Sequence, residues 1–123
     1  MGQVILVAED DPSVRMTIEF VLNDEGFDVL LAEDGERALS IALESLPDVI
    51  LLDQIMPKMD GKEVLNALRA DDTTKDIPVL VLTGMARGEP SEWPGATFVG
   101  KPFSPDALVQ RIREVLGAAP GTV

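Results

Sequence analysis

The chain contains no cysteine and no histidine. Without cysteine there are no disulfides and no thiolate metal sites, and nothing argues for an oxidising compartment. Without histidine the commonest general base and the commonest transition-metal ligand are gone. Positive charge is scarce as well: ten Lys and Arg stand against 22 Asp and Glu, a formal net charge of −12. A phosphate backbone rewards Lys and Arg, so direct nucleic-acid binding by this domain is not expected. The sequence shows no signal peptide and no uninterrupted apolar stretch of membrane-spanning length, so no membrane role and a soluble cytoplasmic protein are expected. Internal repeats are absent too. What is present is 123 residues, 46% of them hydrophobic, enough for one domain with its own core.

Five aliphatic runs stand out: "VILVA" (4–8), "FDVLLA" (27–32), "DVILL" (48–52), "IPVLVL" (77–82) and "ATFVG" (96–100). Several are apolar at consecutive positions, as parallel strands covered on both faces require. Helical patterns lie between them. Val14, Ile18, Val21 and Leu22 share one face, with Asp11 as cap, Pro12 in the first turn and Gly26 beyond the end. Ala38, Leu39, Ala42, Leu43 and Leu46 repeat the pattern until Pro47 stops it. Asp60 and Glu63 read as a capping box ahead of Val64, Leu65 and Leu68. Ser104 and Pro105 open a last helix carrying Leu108, Ile112, Val115 and Leu116, with Gly117 at its close. This alternation predicts right-handed crossovers and a doubly wound α/β sheet. One link breaks the rhythm. "GMARGEPSEWPG" (84–95) holds two prolines and three glycines, which disfavours a full helix. Trp93 is read there as a packing residue that fills the gap, with partner binding as the alternative. "GAAPGTV" (117–123) reads as a tail or the start of a linker, leaving residues 1–117 as the domain and 118–123 outside it.

Ligands of open α/β sheets bind at the carboxyl ends of the strands. Strand one is followed by Glu9, Asp10 and Asp11, strand three by Asp53, strand four by Thr83 and strand five by Lys101. If strands one and three are neighbours, Glu9, Asp10 and Asp53 share one pocket. Close like charges repel, and a hard divalent cation removes the conflict. Mg²⁺ suits one or two carboxylates with waters and phosphate oxygens, and such an ion draws a phosphoryl donor to the site. Asp53 would then accept the phosphoryl group, Thr83 would hydrogen-bond one of its oxygens and Lys101 would pair with another. Taken singly, Asp11 is a cap, Glu9 and Asp10 an acidic loop, Thr83 a cap and Lys101 a surface charge. Their placement on one rim favours the joint reading.

The motifs "ILVAEDDPSVR" (5–15), "LAEDGERAL" (31–39), "DVILLDQIMPKMDG" (48–61), "PVLVLTG" (78–84) and "KPF" (101–103) together resemble a response-regulator receiver domain, from about Gln3 to Leu116. The resemblance implies a flavodoxin-like five-stranded parallel sheet of order 2-1-3-4-5, with the family's fourth helix short or missing here. It implies that Asp53 is the phospho-accepting aspartate, that Asp10 binds Mg²⁺ directly and Glu9 through water, and that the Ile55 main-chain carbonyl is a further ligand. Thr83 and Lys101 match the switch hydroxyl and the phosphate-pairing lysine; Phe98 matches the aromatic switch residue, or is an ordinary core phenylalanine. The Lys101–Pro102 bond is expected to be cis on the same ground. The implied partners are a histidine kinase or histidine phosphotransfer protein upstream and an unidentified protein target or output domain downstream. The chain is thus expected to be a signalling switch, not an enzyme acting on others.

Two departures matter. The span from Thr83 to Lys101 is shorter than the family's usual one, which puts the usual dimer and output surface in doubt. Two residues past Asp53 and two past Thr83 stand Ile55 and Met85, neither able to orient a water by hydrogen bonding, so a long-lived phosphoryl group is expected. A phosphohydrolase of the haloacid-dehalogenase type is the competing class, but it wants a second acid where Ile55 stands. A receiver-like module that signals by constitutive contacts is the third reading.

Overall fold

The computed structural model describes residues 3–83, 93, 95–100 and 103–117. Five strands, β1 (Val4–Ala8), β2 (Asp28–Ala32), β3 (Val49–Asp53), β4 (Val79–Thr83) and β5 (Ala96–Gly100), form one parallel sheet in the order β2-β1-β3-β4-β5. Among the described residues there are four helices, α1 (Pro12–Asp24), α2 (Gly35–Ser45), α3 (Gly61–Ala70) and α4 (Pro105–Gly117). The expected sheet is the observed one. The link at 84–95 is described only at Trp93 and Gly95, so the expectation of a short or missing helix there falls outside the described residues. The same holds for Met85, Lys101, the Lys101–Pro102 bond and residues 118–123.

The sheet has a core on each face because successive side chains of a strand alternate. Leu6, Ala8, Ile50, Leu52, Val79 and Val81 pack with Ala38 and Ala42 of α2 and Val64, Leu65 and Leu68 of α3. Ile5, Val7, Val49, Leu51, Leu80 and Leu82 pack with Ile18 and Leu22 of α1 and Leu108, Val109 and Ile112 of α4. That double burial is why the central strands read as unbroken aliphatic runs.

The helix starts follow the sequence signals. Asp11 accepts from the N–H groups of Ser13 at 2.9 Å and Val14 at 3.4 Å. Asp60 accepts from the Glu63 N–H at 2.9 Å while the Glu63 carboxylate accepts from the Asp60 N–H at 3.0 Å, a complete capping box. Ser104 accepts from the Ala107 N–H at 3.1 Å. The end of α2 is less ordinary: Leu46 takes φ 50°, a left-handed conformation for a branched apolar residue. Pro47 follows, and a residue before proline is disfavoured from the right-handed helical region. The stop was legible, its left-handed form was not.

Trp93 is buried and meets the Phe98 ring edge to face, with centroids 5.7 Å apart and planes at 75°. Its place in the core agrees with the packing reading. Next to it, Arg69 donates to the carbonyls of Lys75 and Ile77 at 2.9 Å each, and to that of Gly95 at 3.5 Å. One guanidinium thereby ties the end of α3 to the approaches of β4 and β5. Burial pushes its pKa down, and the nearby Asp76 carboxylate opposes that shift.

Candidate functional site

The acids meet because of strand register. In β1, Ile5 and Val7 face the α1 and α4 side, so Glu9 follows on that side by alternation; in β3, Val49 and Leu51 bring Asp53 to it. Val7 pairs with Leu51, which places the next same-face residues, Glu9 and Asp53, side by side. Asp10 comes from the turn after β1, and one carboxylate oxygen from each of the three acids lies within 4.8 Å of the others. Glu9 is 1% and Asp53 7% exposed, whereas Asp10 is open to solvent. Two desolvated carboxylates and an accessible one form an all-oxygen donor set with an open side. This donor set fits a small hard cation such as Mg²⁺, which keeps several waters and takes only one or two protein carboxylates directly.

Asp53 is the last residue of β3 rather than the first residue after it, since its backbone still pairs with Leu82. Thr83 ends β4 in the same way. A polar side chain does not interrupt a backbone ladder, so each strand ends one residue later than its aliphatic run.

The loop after Asp53 is held on three sides. Gln54 donates its N–H to the Leu82 carbonyl at 3.2 Å and accepts from the Gly61 N–H at 2.9 Å. A Cβ at Gly61 would lie 2.4 Å from the Asp53 carbonyl oxygen, so only glycine lets α3 begin there. On the far side, a Cβ at Gly35 would stand 1.9 Å from the Met59 carbonyl oxygen. Lys58, at φ 71°, pairs with Asp34 at 3.6 Å. The string "MPKMDG" is thus a loop pressed against the start of α2, ending in Asp60 as the cap of α3, as the sequence implied, and Gly61 as that helix's first residue. The Ile55 side chain, at 77% exposure, points away from this packing.

Two supporting residues were not singled out by sequence reasoning. Arg15 donates through Nη1 to the Glu9 carbonyl at 2.8 Å and more weakly to that of Asp10 at 3.5 Å, fixing the acid-bearing turn from α1. Its signal is weak: an arginine one turn into a helix that starts beside the acids. The other is Gln54. Leu52 pairs with Val81, so two residues further on Gln54 stands beside Thr83. Thr83, 4% exposed, donates through its hydroxyl to Gln54 Oε1 at 2.7 Å. Register arithmetic would have found that pair once the strand order was known. Phe98 lies half-buried on the α2 and α3 face, across from Val81, two residues before Thr83. The structure therefore brings Glu9, Asp10 and Asp53 together, sets Thr83 at the neighbouring strand end and places Phe98 behind it.

Residues 5–113 match the sequence model of the response regulator receiver domain. The phosphate regulon transcriptional regulatory protein PhoB of Escherichia coli K12 is 39% identical over 122 residues, covering 94% of this chain and 52% of PhoB. The chain spans about half the length of the curated relatives it matches. Among solved structures, the chemotaxis response regulator CheY4 of Vibrio cholerae superposes with a TM-score of 0.87 at 32% identity, covering 94% of this chain and 99% of CheY4. The receiver domain of the sensor histidine kinase PA1611 from Pseudomonas aeruginosa PAO1 gives a TM-score of 0.86 at 30% identity, covering 95% of this chain and 99% of that one. In that structure a magnesium ion is coordinated in the active site cleft.

Proposed function

Because the chain belongs to the response regulator receiver domain family, we propose that Asp53 accepts a phosphoryl group with Mg²⁺ bound beside it and that the charged form changes partner affinity. Receiver domains are phosphorylation-controlled signalling switches, not conventional enzymes. The observation that carries the reading is the convergence of Glu9, Asp10 and Asp53 at adjacent strand ends. The magnesium in the cleft of the Pseudomonas aeruginosa relative supports the choice of ion.

In this reading Asp10 and Asp53 would hold the metal, with Glu9 assisting through water and the Ile55 carbonyl as a further ligand, as the family resemblance implies. When bound, Mg²⁺ neutralises charge on the carboxylates and on the transferred group. A carboxylate oxygen of Asp53 attacks phosphorus in line; the new O–P bond forms as the bond from phosphorus to the donor's leaving group breaks. Lys101 pairs with one phosphoryl oxygen and Thr83 hydrogen-bonds another. Moving the Thr83 hydroxyl toward the phosphoryl group leaves room for Phe98 to turn inward, which is the proposed signal. The donor is a histidine kinase or a histidine phosphotransfer protein, and the recipient is a downstream protein or output domain. We place the receiver unit at residues 1–117 and the protein in the cytoplasm; among the described residues no helix is long and apolar enough to cross a membrane.

Reductive trapping tests the assignment. Acetyl phosphate and Mg²⁺ are added, then borohydride, which converts an acyl phosphate on aspartate to homoserine. Peptide mapping should find the conversion at position 53 alone. Conversion at another carboxylate, with position 53 unaltered, would overturn the assignment.

A further inference from the structure

The contact between Thr83 and Gln54 is built from both ends. Gln54 is fixed by backbone hydrogen bonds to β4 and to the start of α3, and Thr83 ends a fully buried strand. Between them the Thr83 hydroxyl gives its proton to Gln54 Oε1 at 2.7 Å. A threonine hydroxyl has one proton to donate. While Gln54 takes it, no phosphoryl oxygen on Asp53 receives it.

Resting on the reading of Asp53 as phospho-acceptor, we propose that Gln54 is a latch on the Thr83 hydroxyl, a positioning residue that holds the resting arrangement and competes with the phosphoryl group. The exchange is favourable because a phosphoryl oxygen carries charge, and hydrogen bonds to charged acceptors are roughly twice as strong as neutral ones. The latch lowers the gain by what the amide contact is worth, a factor of roughly five in an equilibrium constant for a typical neutral hydrogen bond. Gln54 sits next to the acceptor in sequence yet acts through the neighbouring strand. It therefore sets how readily the switch responds without touching the transferred group.

The test is a double-mutant cycle on the intact chain, using beryllofluoride with Mg²⁺ as the phosphoryl mimic. Gln54→Met keeps length and bulk while removing the acceptor, and Gln54→Ala serves if the methionine disturbs folding. Beryllofluoride binding, measured by calorimetry, should tighten roughly fivefold in Gln54→Met, and the same change in a Thr83→Val background should do nothing. A second reading is independent of the mimic: side-chain couplings should show one Thr83 rotamer in the resting wild type and an averaged one in Gln54→Met. Unchanged affinity and an unchanged rotamer overturn the latch. An equal tightening in the Thr83→Val background also overturns it, since the effect would not pass through the hydroxyl. If wild type fails to bind beryllofluoride at all, the latch falls together with the acceptor assignment, and that failure is recognisable because it precedes any effect of the variants.

Discussion

At Gly61 an added methyl group would sit 2.4 Å from the carbonyl oxygen of Asp53, which is backbone and unable to swing aside. Gly61→Ala is expected to cost about 1–3 kcal/mol, as overpacking commonly does, and to slow phosphoryl uptake because the Asp53 loop must shift. Gly117→Ala is the contrast, since nothing lies within 4 Å of its Cβ position; urea unfolding of the two variants separates the cases. Ile55 tests a different property. Its exposed side chain packs against little and offers no hydrogen bond to a water. Ile55→Asn should leave stability nearly unchanged and shorten the lifetime of the Asp53 adduct, followed by mass over time. A wild-type adduct that decays within seconds would contradict the long lifetime expected from Ile55 and Met85.

Elements here are set by their ends. Asp60→Ala removes one half of the capping box that starts α3 and should cost about 1 kcal/mol in urea unfolding. Caps of this kind were legible in the sequence because a short polar side chain before an apolar period has few other uses. The doubly wound sheet was legible because consecutive apolar residues in Ile50, Leu51 and Leu52 leave no solvent face. The acid cluster was legible only in outline. Glu9, Asp10 and Asp53 each follow an aliphatic run, but their meeting depends on β1 lying beside β3, which the family resemblance supplied. Contacts that depend on register or on a long side chain crossing between elements stayed hidden: Gln54 with Thr83, Arg15 with the Glu9 carbonyl, Arg69 with the approaches to β4 and β5. The left-handed Leu46 was hidden for another reason, because its local sequence favours no such conformation.

For the whole molecule, the net charge is −12, and three of its acids crowd together at one rim. A cation that binds only the folded chain should therefore stabilise it, by about 2.7 kcal/mol at a hundredfold excess over its dissociation constant. Thermal unfolding should move upward with Mg²⁺ and much less so in Asp10→Asn. The sheet carries Asp53, Thr83 and Phe98 on three adjacent strands, β3, β4 and β5. All of this rests on Asp53 being the acceptor. The most direct measurement is intact mass after incubation with acetyl phosphate, with Mg²⁺ and with a chelator, on wild type and on Asp53→Asn. One phosphoryl group per chain, present only in wild type with Mg²⁺, is the predicted result. An adduct that persists in Asp53→Asn, or none in a folded wild type that binds Mg²⁺, would contradict it.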